Sequence, residues 1–197
     1  TVAKPPEMVV VTGLGPVGLM AAQTFQACGY KVIGCEPGEQ RRACAKNFGL
    51  KKIAERLPLD DQSVVGKVGL VVECSGHEAA VLDACKIIRK RGEIVLIGVP
   101  WKRNTEFYAH DLLSLVFHKY AVIRSGWEWE LPLFTSDFHP VSIFGNYFAA
   151  IDWLNEGKIK VDGLYEKFQP SDSQNLYQGL PKNTIKSLCC VFDWENI

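Results

Sequence analysis

Apolar positions recur along the first two thirds of the chain in one order: a short β-branched run, a glycine break, then apolar residues at helical spacing. Val9 to Thr12 reads as a strand, and Pro16 to Cys28, closed by Gly29, as a helix. Lys31 to Cys35 is a second strand. Gly38 to Phe48 alternates charged and small apolar residues as an amphipathic helix does and ends at Gly49, and Lys51 to Ala54 makes a short third strand. Beyond a polar, turn-rich stretch from Pro58 to Lys67, Val68 to Glu73 is the near-continuous apolar run expected of a parallel strand buried on both faces. A helix from Glu78 to Arg89, a strand from Glu93 to Ile97, a helix from His110 to Lys119 and a strand from Ala121 to Ser125 follow. Ser75 and Glu78 have the S-x-x-E spacing of a capping box, which sets the helix start just behind the strand. Strands alternating with helices predict an α/β fold with a doubly wound parallel sheet and right-handed crossovers.

At Trp127 the pattern changes. Trp127, Trp129, Phe134, Phe138 and Phe144 sit among prolines and charges without a period, so the reading divides the chain at 126/127 and makes 127–197 an α+β extension. Its expected elements are a helix from Tyr147 to Glu156, a strand from Leu164 to Phe168, a helix capped by Ser171 with Gln174 three residues on, and a strand from Ser187 to Phe192.

Composition narrows the function. The 22 Lys and Arg residues balance the 22 Asp and Glu residues, so net charge provides no footprint for nucleic acid or anionic lipid, and a small ligand is favoured. Met8 to Ala22 is the longest early apolar stretch, but Gly13, Gly15, Pro16 and Gly18 interrupt it and no basic segment leads into it. It fits neither a signal peptide nor a membrane span, and the expectation is a cytoplasmic protein. Seven cysteines without a C-x-x-C pair suit reduced thiols better than a disulfide framework.

Candidate chemistry begins at Gly13-Leu14-Gly15-Pro16-Val17-Gly18, a G-x-G-x-x-G between a strand and a helix. The first glycine permits the turn, the second lets backbone approach a pyrophosphate, and the third lets helix and strand pack closely. Pro16 suits a first helical turn, where its missing N–H costs nothing. The next strand runs into Glu36, 23 positions beyond Gly13, close to the spacing of about 20 for an acid that binds an adenosine ribose. A simple strand-to-helix turn with a solvated Glu36 is the bland alternative. Glycine turns followed by acids also occur in flavoproteins and methyltransferases.

The second half discriminates among these. Val72-Glu73-Cys74-Ser75-Gly76-His77, and Arg91-Gly92-Glu93 running through Ile97-Gly98-Val99-Pro100, resemble the second mononucleotide unit of the medium-chain dehydrogenase/reductase superfamily, zinc-type alcohol and polyol dehydrogenases in particular. No tyrosine has the lysine four positions on that short-chain dehydrogenases need. The resemblance runs from Pro6 to about Gly126 and more weakly to Phe192. It implies a Rossmann fold in which Gly13, Gly15, Pro16, Val17 and Gly18 form the pyrophosphate turn and Glu36 binds the ribose with Arg41 nearby. Ser75 and Gly76 then belong to the adenine-side loop, Ile97, Gly98 and Val99 to the nicotinamide-side loop, and Arg124 and Ser125 to the end of the last sheet strand. Arg41 has a solvated helix position as its alternative, and for Arg124 and Ser125 a structural role is favoured.

The same resemblance implies NAD as cofactor, an alcohol or polyol as substrate of the parent enzyme, and catalytic zinc held by a separate N-terminal domain. Because the chain starts at Thr1, beside the coenzyme unit, it is expected to hold neither catalytic residues nor metal ligands. It is also expected to expose apolar surface where the tail would meet that domain. Cys28, Cys35, Cys74 and Cys85 read as buried, inert thiols, and adjacent Cys189 and Cys190 point to opposite faces of a strand. The apolar last strand, Ala121 to Ser125, suggests a homodimer through its edge. Two other functions stay open: a stand-alone sensory dinucleotide module without turnover, and a flavoprotein fragment.

Overall fold

A computed structural model describes residues 1–182, 184–185 and 187–195. They form two compact units, 1–159 and 160–197. The first contains β1 (Met8–Thr12), α1 (Pro16–Ala27), β2 (Lys31–Cys35), α2 (Glu39–Asn47), β3 (Lys52–Ala54), β4 (Val68–Glu73), α3 (Glu78–Ile87), β5 (Ile88–Leu96), α4 (Ala109–Lys119), β6 (Val122–Ser125) and α5 (Ile143–Asn155). The second contains β7 (Tyr165–Phe168), α6 (Ser173–Gly179) and β8 (Cys189–Phe192), with β7 and β8 paired in parallel.

The six strands of the first unit form one sheet in the order β3-β2-β1-β4-β5-β6, and every pairing is parallel. This is the doubly wound arrangement the alternating pattern predicts. Chain direction across the sheet reverses between β1 and β4, which opens a crevice beyond their carboxyl ends. Apolar burial explains why these two strands are central. All six residues of β4 are buried, and Val9, Val10 and Val11 of β1 are wholly inaccessible. Each such side chain contributes about 1.5–3 kcal/mol relative to exposure. Leu19 and Ala22 of α1 are buried, as are Ala84, Cys85 and Ile87 of α3.

Four local expectations need correction. The helix expected to reach Arg89 stops at Ile87, because Ile88 is extended, wholly buried and already paired opposite Val68 as the first residue of β5. The Ser75–Glu78 capping box does not form. His77 itself is still extended and its Nδ1 accepts the Ala79 N–H at 3.3 Å, while Ser75 turns its hydroxyl to Glu73. Ser171 does not cap α6 either: it lies inside a 3-10 turn, Pro170–Asp172, and no side chain caps the helix. The helix expected from Tyr147 instead begins four residues earlier, where buried Ser142 accepts the Gly145 N–H at 3.0 Å.

Candidate coenzyme site

Three backbone segments meet at the carboxyl ends of β1, β4 and β5. After β1 the chain turns at Gly13, which has φ +78° and donates its N–H to the Cys35 carbonyl at 2.8 Å. The turn enters α1 through Gly15 and Pro16, and no side chain caps that helix. A methyl group built on Gly18 would stand 1.8 Å from the Gly13 carbonyl oxygen, so only glycine lets helix and turn close on one another. Gly15 is the opposite case. Nothing lies within 4 Å of the place a methyl group would take. Open space at an uncapped helix N-terminus, bounded by backbone, suits a pyrophosphate through aligned N–H groups and the helix dipole. The five residues of the expected pyrophosphate turn therefore come together, with Val17 exposed at its rim.

Glu36 lies just beyond β2 and is only 4% exposed. Its Oε2 accepts the Leu14 N–H at 2.9 Å, and its Oε1 accepts the Gly38 N–H at 2.9 Å. The acid proposed from spacing is thus also a strut of the glycine turn. Two of the carboxylate's roughly four acceptor positions are thus filled by backbone N–H groups. Arg41, half exposed on α2, brings Nη1 to 3.7 Å from Oε2. Arg42 reaches back to the Glu36 carbonyl at 2.8 Å, a contact the sequence pattern did not single out.

The centre of the cleft is a residue sequence reasoning passed over. Glu73 ends β4 and is 1% exposed. Its Oε1 accepts the Thr12 hydroxyl at 3.2 Å, the Ser75 N–H at 2.7 Å and the Ser75 hydroxyl, while Oε2 accepts the Gly76 N–H at 3.0 Å. Its backbone carbonyl accepts the N–H groups of Ile97 and Gly98, both at 2.8 Å. A signal existed: an acid closing an otherwise apolar strand, immediately before Ser and Gly. The loops that follow β4 and β5 touch backbone to backbone. A methyl group on Gly98 would come within 2.2 Å of the Gly76 nitrogen, and Gly76 itself has φ +68°. Ser75, Gly76, Ile97, Gly98 and Val99 therefore share the crevice with the glycine turn. Beside it a cavity of about 390 Å³ is lined by Glu73, His77, Val81, Leu96, Pro100 and Phe107, among others.

Arg124 and Ser125 are engaged elsewhere. Arg124 Nε pairs with Glu93 at 2.6 Å, and Ser125 Oγ accepts the Trp127 N–H at 3.4 Å. Burial pushes the thiols of Cys35 and Cys74 up to about 12, with the neighbouring Glu73 adding to the effect on Cys74, and pushes Cys85 up to about 11, whereas Cys28, expected to be buried with them, is exposed at the C-terminal end of α1. Among the described residues, no three His, Cys, Asp or Glu side chains gather as a metal site, and no helix is long and apolar enough to cross a membrane.

With this geometry in hand, comparison with known proteins decides the family. The profile of the zinc-binding dehydrogenases matches residues 16–131, more than half of the chain. The chain belongs to the zinc-binding dehydrogenase family. Within that family, the sorbitol dehydrogenase of Halalkalibacterium halodurans is 32% identical over 116 residues, 55% of this chain and 34% of that protein. Two solved structures share the fold. The acetophenone reductase of Geotrichum candidum, in complex with NAD, superposes with a TM-score of 0.72 at 22% identity over 100% of this chain and 51% of its own. The galactitol-1-phosphate dehydrogenase of Escherichia coli gives 0.73 at 20% identity over 92% and 52%. The chain thus spans between 34% and 52% of the length of these dehydrogenases. It corresponds to the coenzyme-binding domain of zinc-type alcohol and polyol dehydrogenases.

Proposed function

We propose that the chain is the NAD-binding lobe of an alcohol or polyol dehydrogenase, with 1–126 as the coenzyme domain and 127–197 returning toward a catalytic domain. The single observation that carries this reading is the coupling of Glu36 to the glycine turn. One buried carboxylate is fixed by the Leu14 and Gly38 N–H groups beside an uncapped, open helix N-terminus. A dinucleotide laid there sets its pyrophosphate on Gly13, Gly15, Pro16, Val17 and Gly18 and its adenosine ribose on Glu36. The loops 75–76 and 97–99 then flank the adenine and nicotinamide sides. When bound, the nicotinamide ring supplies the hydride acceptor or donor for an alcohol or carbonyl carbon. The residues of this chain orient it and exclude water from one side. We assign zinc to the parent enzyme and not to this chain, and place the protein in the reducing cytoplasm, where its seven free cysteines suit the redox conditions.

The cofactor is NAD in preference to NADP, because a 2′-phosphate would meet the Glu36 carboxylate, while free ribose hydroxyls can donate to it. Charge-assisted hydrogen bonds of this kind are worth about 1.5–3 kcal/mol. Arg41 offsets part of the repulsion but is half exposed and 3.7 Å from Glu36. Titration of each cofactor into the chain is expected to favour NAD at least about tenfold, or about 1.4 kcal/mol. Glu36→Gln is expected to narrow that ratio. Equal affinities in the parent, or an unchanged ratio in the variant, would remove Glu36 from the ribose.

A further inference from the structure

We propose that Glu73 is a positioning residue for the dinucleotide, setting the 74–77 loop between the glycine turn and the 97–99 loop; the proposal rests on the coenzyme reading above. Glu73 takes part in no ion pair among the described residues. Its buried carboxylate is satisfied entirely by neutral donors: the Thr12 and Ser75 hydroxyls and the Ser75 and Gly76 N–H groups. Burying an ionised carboxylate this deeply is costly unless its acceptor positions are filled. The charge therefore demands that Ser75 and Gly76 turn their N–H groups inward, and this fixes the loop's path.

The loop has no slack on either side. A methyl group on Gly13 would lie 2.9 Å from the Ser75 nitrogen, and one on Gly76 would lie 2.6 Å from the Val99 carbonyl oxygen. Any shift of 74–77 thus displaces the pyrophosphate turn or the nicotinamide-side loop, or both. The hydroxyl of Ser75 extends the arrangement by accepting the His77 N–H at 3.2 Å, so the entry into α3 is set by the same carboxylate. Glu73 acts through these groups, and no contact between its carboxylate and the coenzyme is required.

Removing the charge while keeping the volume separates this role from a general contribution to folding. In Glu73→Gln one acceptor oxygen becomes an NH₂ group that opposes an N–H donor. NAD affinity, measured by calorimetric titration well below the melting temperature, is expected to fall at least tenfold. Ser75→Ala deletes one hydroxyl donor to Glu73 and the acceptor of the His77 N–H, and leaves the loop N–H groups in place. It is expected to fold and to weaken NAD about threefold, and it decides the matter if Glu73→Gln does not fold. Ile87→Ala, a cavity in the wholly buried end of α3, serves as the stability control. It is expected to lower the melting temperature while leaving NAD affinity within twofold. NAD binding within twofold of the parent in Glu73→Gln, an unchanged affinity in Ser75→Ala, or an equal loss in Ile87→Ala at equal destabilisation would overturn the proposal. If the unaltered chain binds neither NAD nor NADP, the coenzyme reading itself fails, and Glu73 loses its role with it.

Discussion

Gly15 and Gly18 stand three residues apart in one motif and do opposite things. At Gly15 there is room for a methyl group, so Gly15→Ala is expected to fold with a loss of no more than about 1 kcal/mol, the order of an altered helix cap. The added methyl occupies the space assigned to the pyrophosphate, and NAD titration should show a marked loss of affinity. Gly18→Ala forces a carbon against the Gly13 carbonyl, an overpacking that costs about 1–3 kcal/mol or more in urea denaturation. Stability intact at Gly18 and lost at Gly15 would reverse this division of labour. Cysteine reactivity is decided at the same scale. With Cys35 and Cys74 held at about 12 and Cys85 at about 11, their thiolate fraction at pH 8 is negligible. Alkylation followed by mass spectrometry is expected to mark exposed Cys28 well before those three, and to reach them only on unfolding.

Among the elements, the segment leading into β1 is tied to the start of β5 by one ion pair, Glu7 to Arg89 at 2.8 Å. The Lys4 N–H, at 2.9 Å from the carboxylate, and then Arg89 hold the Glu7 carboxyl below its usual value near 4.5. A carboxyl depressed in the folded state adds stability above its unfolded pKa, and that contribution is lost as pH falls through the folded value. The urea midpoint is therefore expected to decline as pH drops below about 4.5, with a shallower decline in Arg89→Gln. Identical slopes in the two proteins would show that the pair contributes nothing. Helix ends tell a related story: His77 instead of Ser75 caps α3 because Glu73 claims the serine hydroxyl. Residue spacing alone does not register that competition.

For the whole molecule, β3 and β6 are the outer strands of the parallel sheet. Among the described residues β6 pairs only with β5, and Val122 is 52% exposed. Leu113 and Phe117 on α4 and the αL residue Tyr120 are exposed as well. Edge strands of this kind are normally paired or covered, and pairing of two β6 edges across a two-fold axis does both. The parent protein is expected to sediment as a dimer at micromolar concentration, and Val122→Asp to shift it toward monomer. A monomeric parent protein would count against the edge. The segment from Trp127 to Leu154 is also rich in exposed apolar side chains, including Trp129, Phe134, Phe138 and Phe148.

Periodicity by itself determined the order and type of the elements in the parallel sheet, because strands buried on both faces must be continuously apolar and helices between them must be amphipathic. Motif and spacing also singled out the glycine turn and Glu36, since one strand, a turn and a helix separate the ends of neighbouring strands by a nearly fixed length of chain. Only the tertiary structure decided which donors surround each acid. Glu73 and Thr12 are 61 positions apart, and nothing local couples them until β1 and β4 pair side by side. The same holds for Gly76 against Val99, in the loops beyond β4 and β5, and for Arg124 against Glu93 on neighbouring strands of the folded sheet. A sequence pattern records what a residue needs over one or two turns of chain, whereas partners across a sheet are set by register and burial, which exist only once the sheet has formed.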